Sequence, residues 1–174
     1  LDYHMPDFSL GGDTNFVAKE FRNTILNHYF LTPSSQEITN ILNGGAGPGW
    51  VLTGQQFKVT DPSVFSPPPP GVCRFYGGRN GGPNSHFYTP NATECELVKR
   101  DPGWTYEGIA FYIQEAGGGQ CPAGTTPVYR SYNNGAARND SNHRYTVDAT
   151  VFANDVGRAL TDRGALEFLR SHAS

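Results

Sequence analysis

Short stretches that alternate apolar and polar residues recur along the chain, rich in aromatic side chains and bounded by Gly, Pro or Asn. In the middle stand Val72-Cys73-Arg74-Phe75-Tyr76-Gly77, then Ser85-His86-Phe87-Tyr88-Thr89-Pro90, then a polar helical stretch, then Gly103-Trp104-Thr105-Tyr106-Glu107-Gly108-Ile109-Ala110-Phe111. Upstream are Glu20-Phe21-Arg22-Asn23, Asn27-His28-Tyr29-Phe30-Leu31-Thr32-Pro33 and Gly49-Trp50-Val51-Leu52-Thr53-Gly54-Gln55-Gln56-Phe57. Downstream are Val128-Tyr129-Arg130-Ser131-Tyr132-Asn133 and Asn142-His143-Arg144-Tyr145-Thr146. Thr32 to Thr89 and Thr89 to Thr146 are both 57 residues, while Trp50 to Trp104 and Phe57 to Phe111 are both 54. Words kept in order at one spacing read as three tandem copies of a unit of about 55 residues.

Each copy begins with a strand, turns through a Gly/Asn loop into a second strand, and so predicts a hairpin. Thr32-Pro33 with Glu37, and Thr89-Pro90 with Glu94, place a hydroxyl cap before a Pro at the first helical position and an acid in the first turn. A short helix is therefore expected after each. The Gly-Trp word ends it, and Gly108 to Ile113 reads as a third strand. The predicted class is α+β, with three strand-strand-helix-strand repeats packed with pseudo-threefold symmetry around a shared core; a β-trefoil ranks lower because its repeats lack a helix. Expected boundaries within a single domain over 1–174 are about 16–60, 72–114 and 127–170, the third incomplete. The Pro-rich Ser66–Gly71 and Gly-rich Ala116–Gly124 are the joints.

Alternation divides each hairpin into two faces. Cys73 and Phe75 share one; Cys95 falls at the helix position of Ile38 and Phe152, an apolar set expected to look inward. If the Phe75 side is the core side, Cys73 and Cys95 can join, closing a loop of about 20 residues worth roughly 3 kcal/mol. That implies an oxidising compartment, reduced buried thiols being the alternative; Cys121 is left over. The other face carries Arg74, Tyr76, His86 and Tyr88, and in the third copy Arg130, Tyr132, His143 and Tyr145; the first copy has a weaker version in Glu20, Arg22, His28 and Phe30. Rings beside guanidinium and imidazole suit a shallow saccharide or peptide site, or else knit one repeat to the next. Trp50 and Trp104 are expected in the core.

In these words the chain resembles a repeat family of unknown function from bacterial secreted and cell-surface proteins, marked by V-Y-R-F-Y-N, H-F-Y-T and G-W-x-Y-E-G-x-A-F. The likeness runs from about Glu20 to Gly164 and is best in the second copy. It implies a secreted or surface-attached accessory module, beside peptidase, lysozyme-like or other hydrolase domains, with no established ligand and no catalytic residues. Two departures carry expectations. Leu31, inserted between Phe30 and Thr32, suggests a bulge that re-aims His28. The third copy runs from Gly164 into Ala165-Leu166-Glu167-Phe168-Leu169-Arg170, which reads as helical or disordered rather than as a closing strand. The segment before Asn15 matches nothing and reads as a linker or a further strand.

Composition and charge narrow the function. The 21 Gly, 13 Pro and 13% aromatic residues, against 17% charged residues, suit short strands and tight turns. A net charge of −3 with interspersed signs gives no footprint for nucleic acid. No stretch is long and apolar enough to span a membrane, and the start at Leu1 suggests a processed or excised piece. His28, His86 and His143 fall at nearly one position per copy and raise the idea of a shared zinc, without local ligand spacing to support it. No G-x-S-x-G elbow is present, and Gly77–Gly82 lacks the Lys-Ser/Thr of a phosphate loop. Glu37, Glu94 and Glu107 are the carboxylates a glycosidase could draw on, but Glu37 and Glu94 are read as helix-start acids. Asn91-Ala92-Thr93 and Asn139-Asp140-Ser141 fit glycosylation sequons from which nothing is read. The expectation is a non-catalytic extracellular module without cofactor or metal. Its partner is a polysaccharide, glycan or cell-wall component, with an adjoining hydrolase domain. A structural spacer or protein-interaction repeat, and a small secreted hydrolase, are the alternatives.

Overall fold

The computed structural model describes residues 14–64, 66–67, 71–78, 81–114, 120–161 and 170–173. Expectations for the segment up to Asp13, for 164–169 and for parts of both joints lie outside the described residues.

The fold is α+β. Strands β1 (Thr14–Asn23) and β2 (Tyr29–Ser34), helix α1 (Ser35–Leu42) and strand β3 (Trp50–Lys58) are followed by β4 (Gly71–Tyr76), β5 (His86–Thr89), α2 (Ala92–Lys99) and β6 (Thr105–Tyr112). The chain ends with β7 (Thr126–Tyr132), β8 (His143–Thr146), α3 (Ala149–Thr161) and β9 (Arg170–Ala173). They form three antiparallel sheets ordered β2-β1-β3, β5-β4-β6 and β8-β7-β9, the first strand of each set in the centre. Among the described residues no barrel closes, and each sheet is accompanied by a helix, which sets the trefoil alternative aside. The closing strand doubted in the tail is present: Arg170–Ala173 pairs antiparallel with Thr126–Tyr129 of β7.

Central strands of this kind bury both faces. In β4, Cys73 and Phe75 turn toward α2 and pack with Phe87 and Cys95, with Trp104 and Val98 half-buried against them. Beneath α1, Phe21, Phe30, Ile38 and Ile41 make the corresponding cluster, with Trp50 half-buried beside it. Burying each large apolar side chain contributes about 1.5–3 kcal/mol. On the opposite faces Ala18, Leu31, Phe57, Val72, Tyr88, Phe111, Val128 and Tyr145 meet in a cluster drawn from all three sheets. The Cys73–Cys95 disulfide ties β4 to α2, while Cys121 is a free, half-buried thiol.

Local signals differ from expectation at two points. The helix caps lie two residues later than Thr32 and Thr89: Ser34 Oγ accepts from Glu37 N at 3.2 Å and Asn91 Oδ1 from Glu94 N at 2.9 Å. Thr32 and Thr89 instead accept from the backbone N–H of Ser34 and Asn91, closing the turn that leads in. A residue before Pro is held extended, so these threonines belong to strands. Leu31 makes no bulge, since Glu20↔Leu31, Phe21↔Phe30 and Arg22↔Tyr29 pair continuously. Leu31 thereby takes the register position that Tyr88 and Tyr145 hold opposite Arg74 and Arg130. Tyr29 then occupies the place of His86 and His143, and His28 falls outside the strand. Bulges lie on the β3 and β6 sides, where Gly54 and Gly108 have φ of +88° and +105°.

Candidate functional site

The predicted binding face is buried. Arg74, Tyr76, His86, Tyr88 and Arg130 are at most 4% exposed and His143 and Tyr145 are 7% exposed; Tyr132 is half-buried. An open stacking surface is therefore not formed by these side chains, because the sheets press their non-helical faces together. What they form is a set of seams.

At the first seam Arg74 of β4 reaches α1, donating from Nη1 to Glu37 Oε1 at 3.0 Å and from Nε to Glu107 Oε1 at 3.0 Å, with Phe30 under its guanidinium. Glu107 is turned inward just before the Gly108 bulge. Thr32 Oγ1 donates to the same Glu37 oxygen. Burial opposes the Arg74 charge, but the two carboxylates outweigh it and hold the group above its already high ordinary pKa. His86 Nε2 lies 3.1 Å from Glu107 Oε1, within ion-pair reach but at an angle that makes no hydrogen bond. At the second seam Arg130 grips Glu94 of α2 through two bonds of 2.8 and 3.2 Å. Burial pushes the Glu94 carboxyl up, and the bonds from Arg130 and Thr89 overcome it to leave the value lowered.

Tyrosine hydroxyls stitch the same seams. Tyr88 Oη donates to Leu31 O and accepts from Leu31 N, and Tyr145 Oη treats Tyr88 O and N alike, all within 2.7–2.9 Å. Burial drives both phenols well above their ordinary pKa. His143 is buried between a stacked Tyr132 ring at 4.5 Å and the edge of Phe87 at 4.9 Å. Desolvation, helped by the Arg130 charge, lowers its pKa to about 3, so the imidazole is neutral. Among the described residues no three His, Cys, Asp or Glu side chains gather as a metal site.

The third seam is built differently. Here Glu20 of β1 stands at the strand position of Arg74 and Arg130, and the cation comes from the other side: Arg144 of β8 clamps Glu20 at 2.9 and 3.1 Å. Arg144 also donates to Asp155 of α3 at 3.3 Å and lies over the Tyr29 ring at 4.4 Å. In register, Ser131↔Arg144 replaces the apolar pairs Phe21↔Phe30 and Phe75↔Phe87. Asp155, nine residues past Thr146, stands where Ile41 and Val98 follow Thr32 and Thr89. Where two sheets bury phenylalanine against their helix, the third holds a serine, an arginine and an aspartate.

Beside this polar cluster opens a cleft of about 220 Å³ between the β1–β2 turn and the β7–β8 hairpin. Its walls include His28, Tyr29, Tyr132, Arg138, Asp140, Asn142, Arg144 and Asp155. Of the residues predicted for the face, Tyr132 reaches it, as does His28 of the weaker first set. Arg138 is exposed at the rim, Asp140 is half-exposed, and Asn142 donates to Asn27 O at 2.9 Å across the mouth. The signal that could have found this place was His143-Arg144-Tyr145-Thr146 set against His86-Phe87-Tyr88-Thr89, a charge at the position of a core phenylalanine.

Fold and site together define a disulfide-linked α+β domain with a polar-aromatic cleft between two of its sheets. The chain belongs to the family described as "Domain of unknown function (DUF5648)", whose profile matches residues 17–156. No curated protein and no solved structure matches it.

Proposed function

We propose that the chain is a non-catalytic, extracellular module of three repeats packed with pseudo-threefold symmetry, and that it binds a saccharide of a glycan or cell wall in the cleft between the first and third sheets. The observation that carries this is the exchange of core phenylalanines for Ser131 and Arg144, with Asp155, beside a walled cavity. Burying ions where two sibling sites bury hydrocarbon gives up packing stability, which points to a use other than holding the fold. The lining pairs carboxylates (Asp140, Asp155) with donors (Arg138, Asn142) and with the Tyr29 and Tyr132 rings, the mixture that hydroxyls and a sugar ring require. Its two arginines and two aspartates balance, which favours a neutral sugar over an anionic one, and its volume suits a single ring. The buried disulfide and the resemblance to surface-protein repeats support an extracellular setting.

A glycan array, with pull-down on insoluble polysaccharides and peptidoglycan, tests the proposal. Neutral saccharides are expected to bind, and Arg138→Glu and Tyr132→Ala to weaken them at least about tenfold, with melting followed in parallel to confirm the fold. Uniform silence, or binding unchanged in both variants, overturns it and leaves a spacer or protein-interaction repeat.

A further inference from the structure

Trp50 and Trp104 each rest on a phenylalanine of the second strand of their sheet, with ring centroids 6.2 Å apart for Phe30–Trp50 and 5.9 Å for Phe87–Trp104. Phe75, Cys95 and Val98 belong to the cluster around Trp104, and Gly77 lies so close that a Cβ there would meet the indole at 2.9 Å. Strand register carries these places onto the third sheet. Because Arg130↔Tyr145 answers Arg74↔Tyr88, Ser131 stands at the place of Phe75, Asn133 at that of Gly77 and Arg144 at that of Phe87. Asp155 stands at the place of Val98, and all four line the cleft. An asparagine at this place does not bar an indole, since Asn23 holds it in the first sheet, opposite Trp50. The place of the tryptophan can be counted too. Arg170 pairs with Tyr129 as Ile109 pairs with Cys73, and five residues earlier the sequence has Ala165 after Gly164 in one case and Trp104 after Gly103 in the other.

We infer that the cleft is a side-chain socket, the counterpart of the one that holds Trp104, and that it takes the terminal, non-reducing ring of a saccharide end-on rather than a ring within a chain. The terminal ring rests on the function proposed above; the socket does not. The walls come from strands β7 and β8, from Asp155 of α3, from the β7–β8 loop and from the β1–β2 turn. Walls on these sides leave one mouth, whereas a chain running through needs two. The floor chooses which end enters. An indole in the second sheet meets hydrocarbon, but a ring in this cleft meets the Ser131 hydroxyl, the Asp155 carboxylate and the Arg144 guanidinium, so its leading edge must bring donors and acceptors of its own. The non-reducing terminal residue leads with adjacent free hydroxyls. An internal residue carries its linkage oxygen there, and a reducing end leads with its anomeric carbon.

The test titrates the full chain with the methyl glycosides of glucose, galactose, mannose and N-acetylglucosamine, with linear trimers of the same sugars, and with β-cyclodextrin, a glucan without ends. A sugar that binds is expected to do so as its methyl glycoside with a Kd within about threefold of its trimer, and β-cyclodextrin not to bind. Affinity that climbs about tenfold or more from methyl glycoside to trimer, or β-cyclodextrin held as well as the linear glucan, overturns end-on binding. A second arm needs no sugar. Ala165→Trp, and the smaller Ala165→Phe should the first not fold, are expected to show nuclear Overhauser contacts between the new ring and the Arg144 side chain, as Trp104 adjoins Phe87. The plugged variant should also lose at least about tenfold in affinity for the methyl glycoside, while Ala165→Ser binds as the natural chain does. A new ring without contact to Arg144 overturns the socket. Silence of every sugar with those contacts present overturns the saccharide reading and leaves the socket standing.

Discussion

At the scale of single residues, the chain spends charge where its neighbours in sequence spend hydrocarbon. Arg74 and Glu37 are each almost wholly buried, and removing one partner of such a pair costs about 3–5 kcal/mol because the other charge is stranded. His143 shows the opposite solution, a buried imidazole that stays neutral. Its pKa of about 3 lies below the ordinary 6.5 of an unfolded chain. Above pH 6.5 neither state carries the proton; below it the unfolded chain takes one that the native site refuses until about pH 3. Native stability should therefore fall on acidification through that window, and the difference in melting between the natural chain and His143→Phe should shift in the variant's favour as the pH drops. A gap that stays constant from neutral to acid would show that His143 does not titrate this way. The division of each hairpin into two faces was readable from alternation alone, as the Cys73/Phe75 side and the Arg74/Tyr76 side demonstrate. That both sides are buried was not readable, because alternation reports that faces differ and says nothing of what covers them.

Among elements, the helices are docked more by what leaves their first turn than by their own length. Both α1 and α2 have eight residues, too short to be stable alone. Ser34 and Asn91 cap them, and Glu37 and Glu94 extend from the first turn to arginines on the adjoining sheet. The capping-box spacing Ser34-x-x-Glu37 was present in the sequence, yet the Thr-Pro word two residues earlier mimics the same signal. Only the strand register separates the two, by assigning Thr32 and Thr89 to β2 and β5. The disulfide gives α2 a second anchor, spanning 22 residues from Cys73 to Cys95. Reduction, or Cys73→Ala with Cys95→Ala, should lower stability by about 2–4 kcal/mol. Denaturant titration with and without reductant measures it, and an unchanged midpoint would mean that the helix docks without the covalent tie.

For the whole molecule, the seams between sheets differ in how they are closed. The first has Arg74 with two carboxylates and the Tyr88 hydroxyl; the second has Arg130 with Glu94 and the Tyr145 hydroxyl. At the third Leu31 stands where a tyrosine would reach across. The contacts there include Arg144 with Glu20 and the Tyr29 ring, a 3.3 Å bond from Thr146 to Gln55, the Asn142 bond to Asn27 O and the His28–Asp140 pair beside the cleft. Hydrogen exchange near neutral pH should therefore be faster for β8 amides than for their β5 counterparts, because β5 is clasped on both sides. Equal protection in the two strands would contradict that ordering. This asymmetry was hidden at the level of motifs, since the words from which repeats are proposed are those that match, whereas the cleft arises from those that do not.

The missing tyrosine at Leu31 has a mechanical meaning. Two boundaries are sewn shut and one is only clipped, so the module has a preferred place to part, and that place is also where its cavity lies. Any molecule seated there touches both banks of the gap and works as a keystone, adding to the cohesion of the domain in proportion to how fully it is occupied.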